Sequence, residues 1–77
     1  HAMTHSEIIR HHMENAGHTI TSLAQAIGQR RSQLSRLLSG RHDVRLSTLG
    51  LIADALGMTV PELLTAPKNF SEYSRNF

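Results

Sequence analysis

Residues 19–40 read TITSLAQAIGQRRSQLSRLLSG, and this stretch decides the fold because apolar residues recur at helical spacing on both sides of a glycine. Before the glycine, Leu23, Ala24 and Ile27 share one face of a short helix. Gly28 itself can take the positive φ with which a helix ends at no steric cost. After it, three leucines recur at intervals that bury one face of a second helix: Leu34, Leu37 and Leu38. The stretch therefore predicts two helices joined by a tight turn.

The opposite face of the second helix is polar and basic. Its side chains can all form hydrogen bonds: Arg31, Ser32, Gln33, Ser35 and Arg36. In the major groove of DNA, base edges and phosphates offer acceptors, and arginine and glutamine can pair with guanine and adenine. This face therefore has the chemistry of a helix that lies in the major groove.

The positions of small and apolar residues resemble the helix-turn-helix of phage repressor and Cro-type regulators, the XRE family. Within the stretch these positions are Leu23-Ala24, Ile27-Gly28, Leu34, Leu37 and Ser39-Gly40. The resemblance continues through residues 46–49, 52–57 and 61–64, so that it covers roughly residues 5–65. No single motif is unique, but the joint spacing is specific. The resemblance implies an all-α, compact five-helix, lambda-repressor-like domain, with the helix-turn-helix as helices two and three.

Capping residues and glycines predict where the helices begin and end. Three threonines stand where an N-cap is needed, before helices one, two and five: Thr4, Thr19 and Thr59. Glu7 and Glu62, three residues on, complete two capping boxes. The first helix is expected to end at Gly17, and helices three, four and five to span about residues 31–39, 46–56 and 61–65. Inward-facing residues are expected at Ile8, Ile9, Met13 and Ala16 in helix one and at Leu49, Ile52, Ala53 and Leu56 in helix four.

The length and the ends of the chain predict its organisation. At 77 residues it can form one small domain, taken to be complete in itself and near the lower limit for independent folding. Residues 1–2, which precede Met3, are interpreted as a tag remnant. Residues 3–65 are interpreted as the helix-turn-helix DNA-binding domain, and residues 66–77 as a C-terminal tail that is a candidate dimerisation segment.

All three aromatic residues lie in that tail, three and four residues apart, which places them on one face if the tail is helical. Aromatic side chains are enriched in subunit interfaces. The homodimer interface is therefore expected to include Leu63, Leu64, Phe70, Tyr73 and Phe77. A frayed tail, or a place in the core of the monomer, is the alternative.

The charge of the chain is unevenly distributed, although its formal net value is only +2. Residues 28–46 hold five arginines and one acid, Asp43, a net of +4, whereas the remainder holds three basic and five acidic residues, a net of −2. Such a dipolar surface steers one face of a protein toward a polyanion.

Carried over by position, the resemblance implies DNA contacts at Thr19, Thr21, Arg30, Arg31, Ser32, Gln33, Ser35, Arg36, Ser39, Arg41 and Arg45. Residues of helix three, which is called the recognition helix in this family, would face base edges or flanking phosphates. Thr19 and Thr21 begin helix two, where backbone amides commonly meet a phosphate. Arg41 and Arg45 would bind phosphates of the DNA backbone.

Three residues depart from the pattern of the family. Ile20 stands where the family often has a glutamine whose side chain contacts both a phosphate and the recognition helix, so this polar contact is expected to be missing. Gln29 replaces a usually apolar turn residue, which predicts a less well anchored turn. Arg30 stands where serine or threonine would cap the recognition helix, and the weaker cap is expected to cost up to about 1 kcal/mol.

Composition argues against several other classes of protein. The chain has no cysteine for a disulfide or a thiolate zinc site, and no apolar run of the roughly 20 residues that span a bilayer. The histidines outside the tag show no metal-binding spacing: His5, His11, His12, His18 and His42. His12 is expected to be a packed, partly buried side chain. No cofactor, membrane association or enzyme activity is expected, and the predicted location is the cytoplasm, in association with the nucleoid.

Together these features predict a sequence-specific DNA-binding transcriptional regulator, and more specifically a dimeric repressor that binds a palindromic operator in double-stranded DNA. One alternative is an antitoxin that autoregulates its operon and binds a toxin with its tail. The other is a protein-interaction module, with weak or no DNA binding, that uses the aromatic face of the tail.

Overall fold

The computed structural model describes residues 4–40 and 44–66, which form five α-helices and, within those residues, no strand. The helices are α1 (His5–Asn15), α2 (Ile20–Ile27), α3 (Arg31–Leu37), α4 (Leu46–Leu56) and α5 (Val60–Leu63). The expected all-α, five-helix fold is confirmed, with α5 reduced to a single turn. None of these helices is long and apolar enough to cross a membrane.

One apolar cluster holds the five helices together. Its buried members come from all of them or from the residue that caps them: Ile9, Met13, Leu23, Ala24, Leu34, Leu38, Ile52, Ala53 and Leu63. Ile27, Leu49 and Leu56 are half-buried and pack against this cluster, as their helical spacing predicts. Burial of one such side chain stabilises the fold by about 1.5–3 kcal/mol. The cluster therefore fixes how α3 lies against the other helices.

Two residues expected in the core lie elsewhere. Ala16 is exposed because α1 ends one residue before it and Ala16 is the C-cap. Leu37 is only half-buried, since Leu34 and Leu38 centre the buried stripe of α3 and adjacent helical residues point about 100° apart. Helix α3 also ends two residues earlier than expected, because Leu38 is its C-cap and the chain turns from there to Gly40.

Side-chain caps are present on three helices and missing from two. Helices α1, α2 and α5 each begin with a threonine whose oxygen accepts from the N–H three residues on, in a reciprocal capping box: Thr4–Glu7, Thr19–Ser22 and Thr59–Glu62. Helices α3 and α4 follow Arg30 and Arg45, whose side chains form no cap hydrogen bond. Both of these arginines are among the expected DNA-contacting residues.

Candidate nucleic-acid interface

A short turn between α2 and α3 fixes the orientation of α3. Gly28 has a φ of +72°, and its N–H donates to the carbonyl of Gln25 at 3.3 Å. The N–H of Gln29 donates to the carbonyl of Ala24 at 2.9 Å, so two carbonyls at the end of α2 are satisfied. Leu34, with 0% exposure, anchors the opposite side of α3 in the core. Turn and core together leave the polar face of α3 toward solvent.

Helix α3 carries five of the eleven expected DNA-contacting residues. Four of its side chains are exposed: Arg31, Ser32, Gln33 and Arg36. Ser35 is half-buried. A shallow concavity of about 300 Å³ on this surface is lined by Arg30, Ser32, Gln33 and Arg36. Because Arg31 does not line it, the two arginines of α3 have different surroundings.

The arginines of this surface have no partner in the described parts of the chain. Within residues 4–40 and 44–66, no hydrogen bond or ion pair engages the side chains of Arg30, Arg31, Arg36 and Arg45. A guanidinium group presents five N–H donors in a planar fork, which suits guanine edges and phosphate oxygens. The surface thus offers positive charge and oriented donors to an anionic ligand.

The flanking residues differ in how far their side chains are already engaged. The hydroxyl oxygen of Thr19 accepts from the N–H of Ser22 at 3.1 Å as the cap of α2. Thr21 and Arg45 are exposed, at the start of α2 and just before α4. Arg41 lies outside the described residues.

Ser39 is tied to its own helix. Its hydroxyl donates to the carbonyl of Arg36 at 2.7 Å. Since a serine hydroxyl has a single proton, Ser39 cannot donate to a phosphate without breaking this bond.

The three departures from the family pattern have visible structural consequences. Ile20 is half-buried and packs against the core, so an apolar anchor takes the place of a polar brace. The Oε1 atom of Gln29 is buried and has no hydrogen-bond partner among the described residues, and an unpaired buried acceptor costs about 1–3 kcal/mol. This cost agrees with the weaker turn expected from the sequence. Arg30 forms no cap hydrogen bond, so the weaker start of α3 is confirmed.

Two contacts between distant parts of the chain were not expected from the sequence. Arg10 Nη2 donates to the carbonyl of Leu38 at 3.1 Å. His12 Nε2 lies 2.7 Å from the carbonyl oxygen of Thr65, and because a carbonyl only accepts, this nitrogen carries a proton. The partners are 28 and 53 residues apart, and no local pattern indicates such pairs. The expected partial burial of His12 is confirmed, and no group of His, Asp or Glu in the described chain is placed to hold a metal ion.

The expected dimer residues lie only in part on the described surface. Leu63 has 0% exposure and belongs to the core cluster, so it has no surface to offer a second copy, which corrects the expectation. The physical reason is that α5 is a single turn and Leu63 is its inward residue. Leu64 is half-buried and packs against the same cluster. Phe70, Tyr73 and Phe77 lie outside the described residues.

Comparisons with known proteins identify the family. The family profile described as the Cro/C1-type HTH DNA-binding domain matches residues 9–69. The chain is also similar to the crystal structure of the hypothetical transcription factor NHTF from Neisseria, with 26% sequence identity and a TM-score of 0.73 over 90% of this chain and 79% of that one. No curated protein matches it. The chain therefore belongs to the Cro/C1-type helix-turn-helix family of DNA-binding domains, and the resemblance seen in the sequence is confirmed.

Proposed function

We propose that this protein is a transcriptional regulator that recognises specific sequences of double-stranded DNA with the outward face of α3. The observation that carries the proposal is the concavity lined by Arg30, Ser32, Gln33 and Arg36, where two guanidinium groups have no partner among the described residues. Membership of the family supports DNA as the ligand. The concavity supports its lining side chains as the ones that contact the DNA.

Contacts to base edges are assigned to Gln33 and Arg36, the two residues of α3 with long side chains that line the concavity. Gln33 can form a bidentate pair with adenine and Arg36 with guanine, and each such pair provides about 1–3 kcal/mol of discrimination. Ser32 and Ser35 have short side chains that can bond to a base or to a phosphate. Ser39 is assigned no contact, because its hydroxyl proton is already bonded to the backbone.

Contacts to phosphates are assigned to residues that flank α3. Arg30 and Arg45 stand at N-cap positions without capping their helices, so their charges are available to the DNA backbone. Thr19 and Thr21 place hydroxyl groups at the start of α2. Arg41 adds a further positive charge between α3 and α4. Such contacts orient a protein on the duplex, whereas base contacts provide its specificity.

The proposed form on DNA is a homodimer on a palindromic operator. Helix α3 has seven residues and is about 10 Å long at a rise of 1.5 Å per residue, so one copy reads only a few base pairs. Twofold symmetry would place two copies of α3 one turn of DNA apart, about 34 Å. A dimer bound in this way, in the cytoplasm and on the nucleoid, would repress transcription by occluding a promoter.

Selection of bound sequences from a random pool of DNA duplexes tests the proposal. The wild-type chain should enrich an inverted repeat, and Arg36→Ala should enrich a repeat in which the preference at one base position of each half is relaxed. Asp54→Ala, which changes an exposed charge near the end of α4, is the control and should enrich the same repeat. No enrichment by the wild-type chain at low salt would refute sequence-specific recognition. Enrichment of a single half-site would refute the dimer.

A further inference from the structure

Helix α3 carries the proposed base contacts, yet it is held in place by few interactions. At its start, Arg30 provides no cap. Along its length, Leu34 and Leu38, with 0% and 3% exposure, anchor one face in the core. A helix of seven residues has little stability of its own, so its position depends on tertiary contacts. The position of its C-terminal end therefore depends on what holds Leu38.

Arg10 of α1 provides a second contact at that end. Its Nη2 atom donates to the carbonyl of Leu38 at 3.1 Å in a partly buried position. Leu38 is the C-cap of α3, and the last carbonyls of a helix have no intrahelical partner. A guanidinium group there satisfies such a carbonyl and interacts favourably with the negative end of the helix dipole. Because the donor is charged, this hydrogen bond is stronger than one between neutral groups.

We infer that Arg10 is a positioning residue for DNA recognition, which fixes the C-terminal end of α3 on α1. Arg36 lies two residues before Leu38, so a displacement of this end moves Arg36 more than it moves Arg30 at the other end of the helix. Arg10 differs from those two arginines in that its guanidinium group is bonded to the protein backbone. The inference rests on the proposed function, since it concerns how α3 is presented to the bases.

A positioning role and a phosphate contact predict different salt dependence. Loss of a phosphate contact lowers the slope of log K against log salt by about one and weakens binding equally on all sequences. Loss of a positioning residue leaves that slope unchanged and lowers the ratio between the affinity for the operator and the affinity for a variant operator.

Three variants of the full chain separate these roles. Arg10→Met keeps an unbranched apolar stem but has neither charge nor donor, and Arg10→Lys keeps the charge and a donor. Thr59→Ala, which removes the cap of α5, is the control for a loss of stability away from α3. Each is measured at a temperature at which circular dichroism shows it to be folded. The DNA is the selected operator and a variant with the guanine assigned to Arg36 replaced.

We expect Arg10→Met to bind the operator about tenfold more weakly with an unchanged salt slope, a loss appropriate to one charged hydrogen bond. The ratio between operator and variant should fall, Arg10→Lys should recover part of it, and Thr59→Ala should retain it. An unchanged ratio for Arg10→Met, an equal loss for Thr59→Ala, or a slope lowered by about one would each overturn the inference.

Hydrogen exchange tests the same contact without DNA, so failure of the inference can be told from failure of the proposed function. The N–H of Leu38 donates to the carbonyl of Leu34 at 3.0 Å, and it should exchange faster in Arg10→Met than in Thr59→Ala. Equal exchange in the two variants would show that Arg10 does not hold this end of α3, whether or not the chain selects an operator.

Discussion

Among single residues, Arg31 and Arg36 are both exposed on α3, but only Arg36 lines the concavity with Gln33. We therefore expect different results from two matched substitutions. Arg36→Ala should cost about 1–3 kcal/mol of operator binding and relax the preference at one base position, because it removes a base contact. Arg31→Ala should weaken binding on all sequences and lower the salt slope by about one, because it removes a phosphate contact. Titration of single-base operator variants at several salt concentrations distinguishes the two, and identical effects of both substitutions would contradict the assignment.

Titration of the Glu62 carboxylate makes the stability of the fold depend on pH in the acidic range. Its carboxylate accepts from the N–H and from the hydroxyl of Thr59, both at 2.9 Å, and these bonds, with a smaller contribution from His12, hold the pKa of Glu62 below its usual value. Since the pKa is lower in the folded than in the unfolded chain, the ionised group stabilises the fold above the unfolded pKa. This stabilisation is lost as the pH falls through the folded pKa.

The unfolding temperature of Glu62→Gln should therefore fall less than that of the wild type between about pH 6 and pH 3, where carboxyl groups titrate. Thr59→Ala removes the hydroxyl donor but keeps the N–H, so it should give an intermediate dependence. Thermal unfolding followed by circular dichroism measures all three proteins. Parallel curves would show that Glu62 does not contribute.

Whether a contact could be predicted depends on how far apart its two residues lie along the chain. The pairs Thr4–Glu7 and Thr59–Glu62 lie three residues apart, and capping chemistry determines them locally. The contacts of Arg10 with Leu38 and of His12 with Thr65 exist only once distant helices have packed. Spacing alone therefore could not indicate Arg10, although it is the residue that we infer to position α3.

Among the helices, α3 combines a weak start with the proposed binding role. Arg30 forms no cap, whereas a serine at this position would stand three residues before Gln33 and complete a capping box. Arg30→Ser should therefore raise the free energy of unfolding by about 0.5–2 kcal/mol. If Arg30 binds a phosphate, the same substitution should weaken DNA binding and lower the salt slope by about one.

Denaturant titration and operator binding of Arg30→Ser measure the two effects. Arg30→Ala is the control, since it removes the same charge without adding a cap. Equal stability of the two variants would show that no capping box forms. Unchanged DNA binding in both would remove Arg30 from the interface.

Helix α4 contains a glycine that the monomer does not require. Gly50 lies in the interior of α4, and nothing in the described chain lies within 4 Å of where its Cβ would stand. Glycine in a helix costs about 0.5–1 kcal/mol relative to alanine, so Gly50→Ala should raise the free energy of unfolding by that amount. Gly28→Ala is the contrast and should destabilise the fold, because a φ of +72° is strained for alanine. Denaturant titrations measure both, and a Gly50→Ala variant that is less stable than the wild type would contradict the argument.

The number, order and approximate starts of the helices were predictable because they depend on local spacing and capping residues, while the ends of α1 and α3 were not. The sequence places Leu37 and Ala16 at apolar positions, but Ala16 lies just beyond the end of α1 and Leu37 lies to one side of the buried stripe of α3. The same holds for Leu63, which appeared available for a second copy until the single turn of α5 placed it in the core.

In the whole molecule, the threonine caps and the exposed arginines of the described residues belong to different helices. Threonine caps begin helices α1, α2 and α5, whereas arginines that form no cap hydrogen bond precede α3 and α4, where the sequence concentrates its positive charge. The fold and the exposure of the polar face of α3 were predictable because one short stretch specifies both. The interface of the proposed homodimer stays a prediction, since such an interface depends on surfaces that meet only between copies.

The last prediction concerns this interface. With Leu63 in the core, we assign the interface of the proposed dimer to Phe70, Tyr73 and Phe77, which are the largest apolar side chains of residues 67–77. Deletion of residues 67–77 should shift the protein toward monomer in sedimentation equilibrium and weaken binding to the full operator much more than binding to one half-site. The truncated chain keeps all nine buried residues of the described core cluster, and circular dichroism checks that it is folded.

The deletion also removes Lys68 and Arg75, and the matched control is therefore the full chain with both replaced by alanine. This control should remain a dimer, and each lost phosphate contact should lower its salt slope by about one. A second variant, with the three aromatic residues replaced by serine and the charges kept, should behave like the deletion. A truncated chain that stays dimeric and binds the full operator as the wild type does would place the interface elsewhere on the molecule.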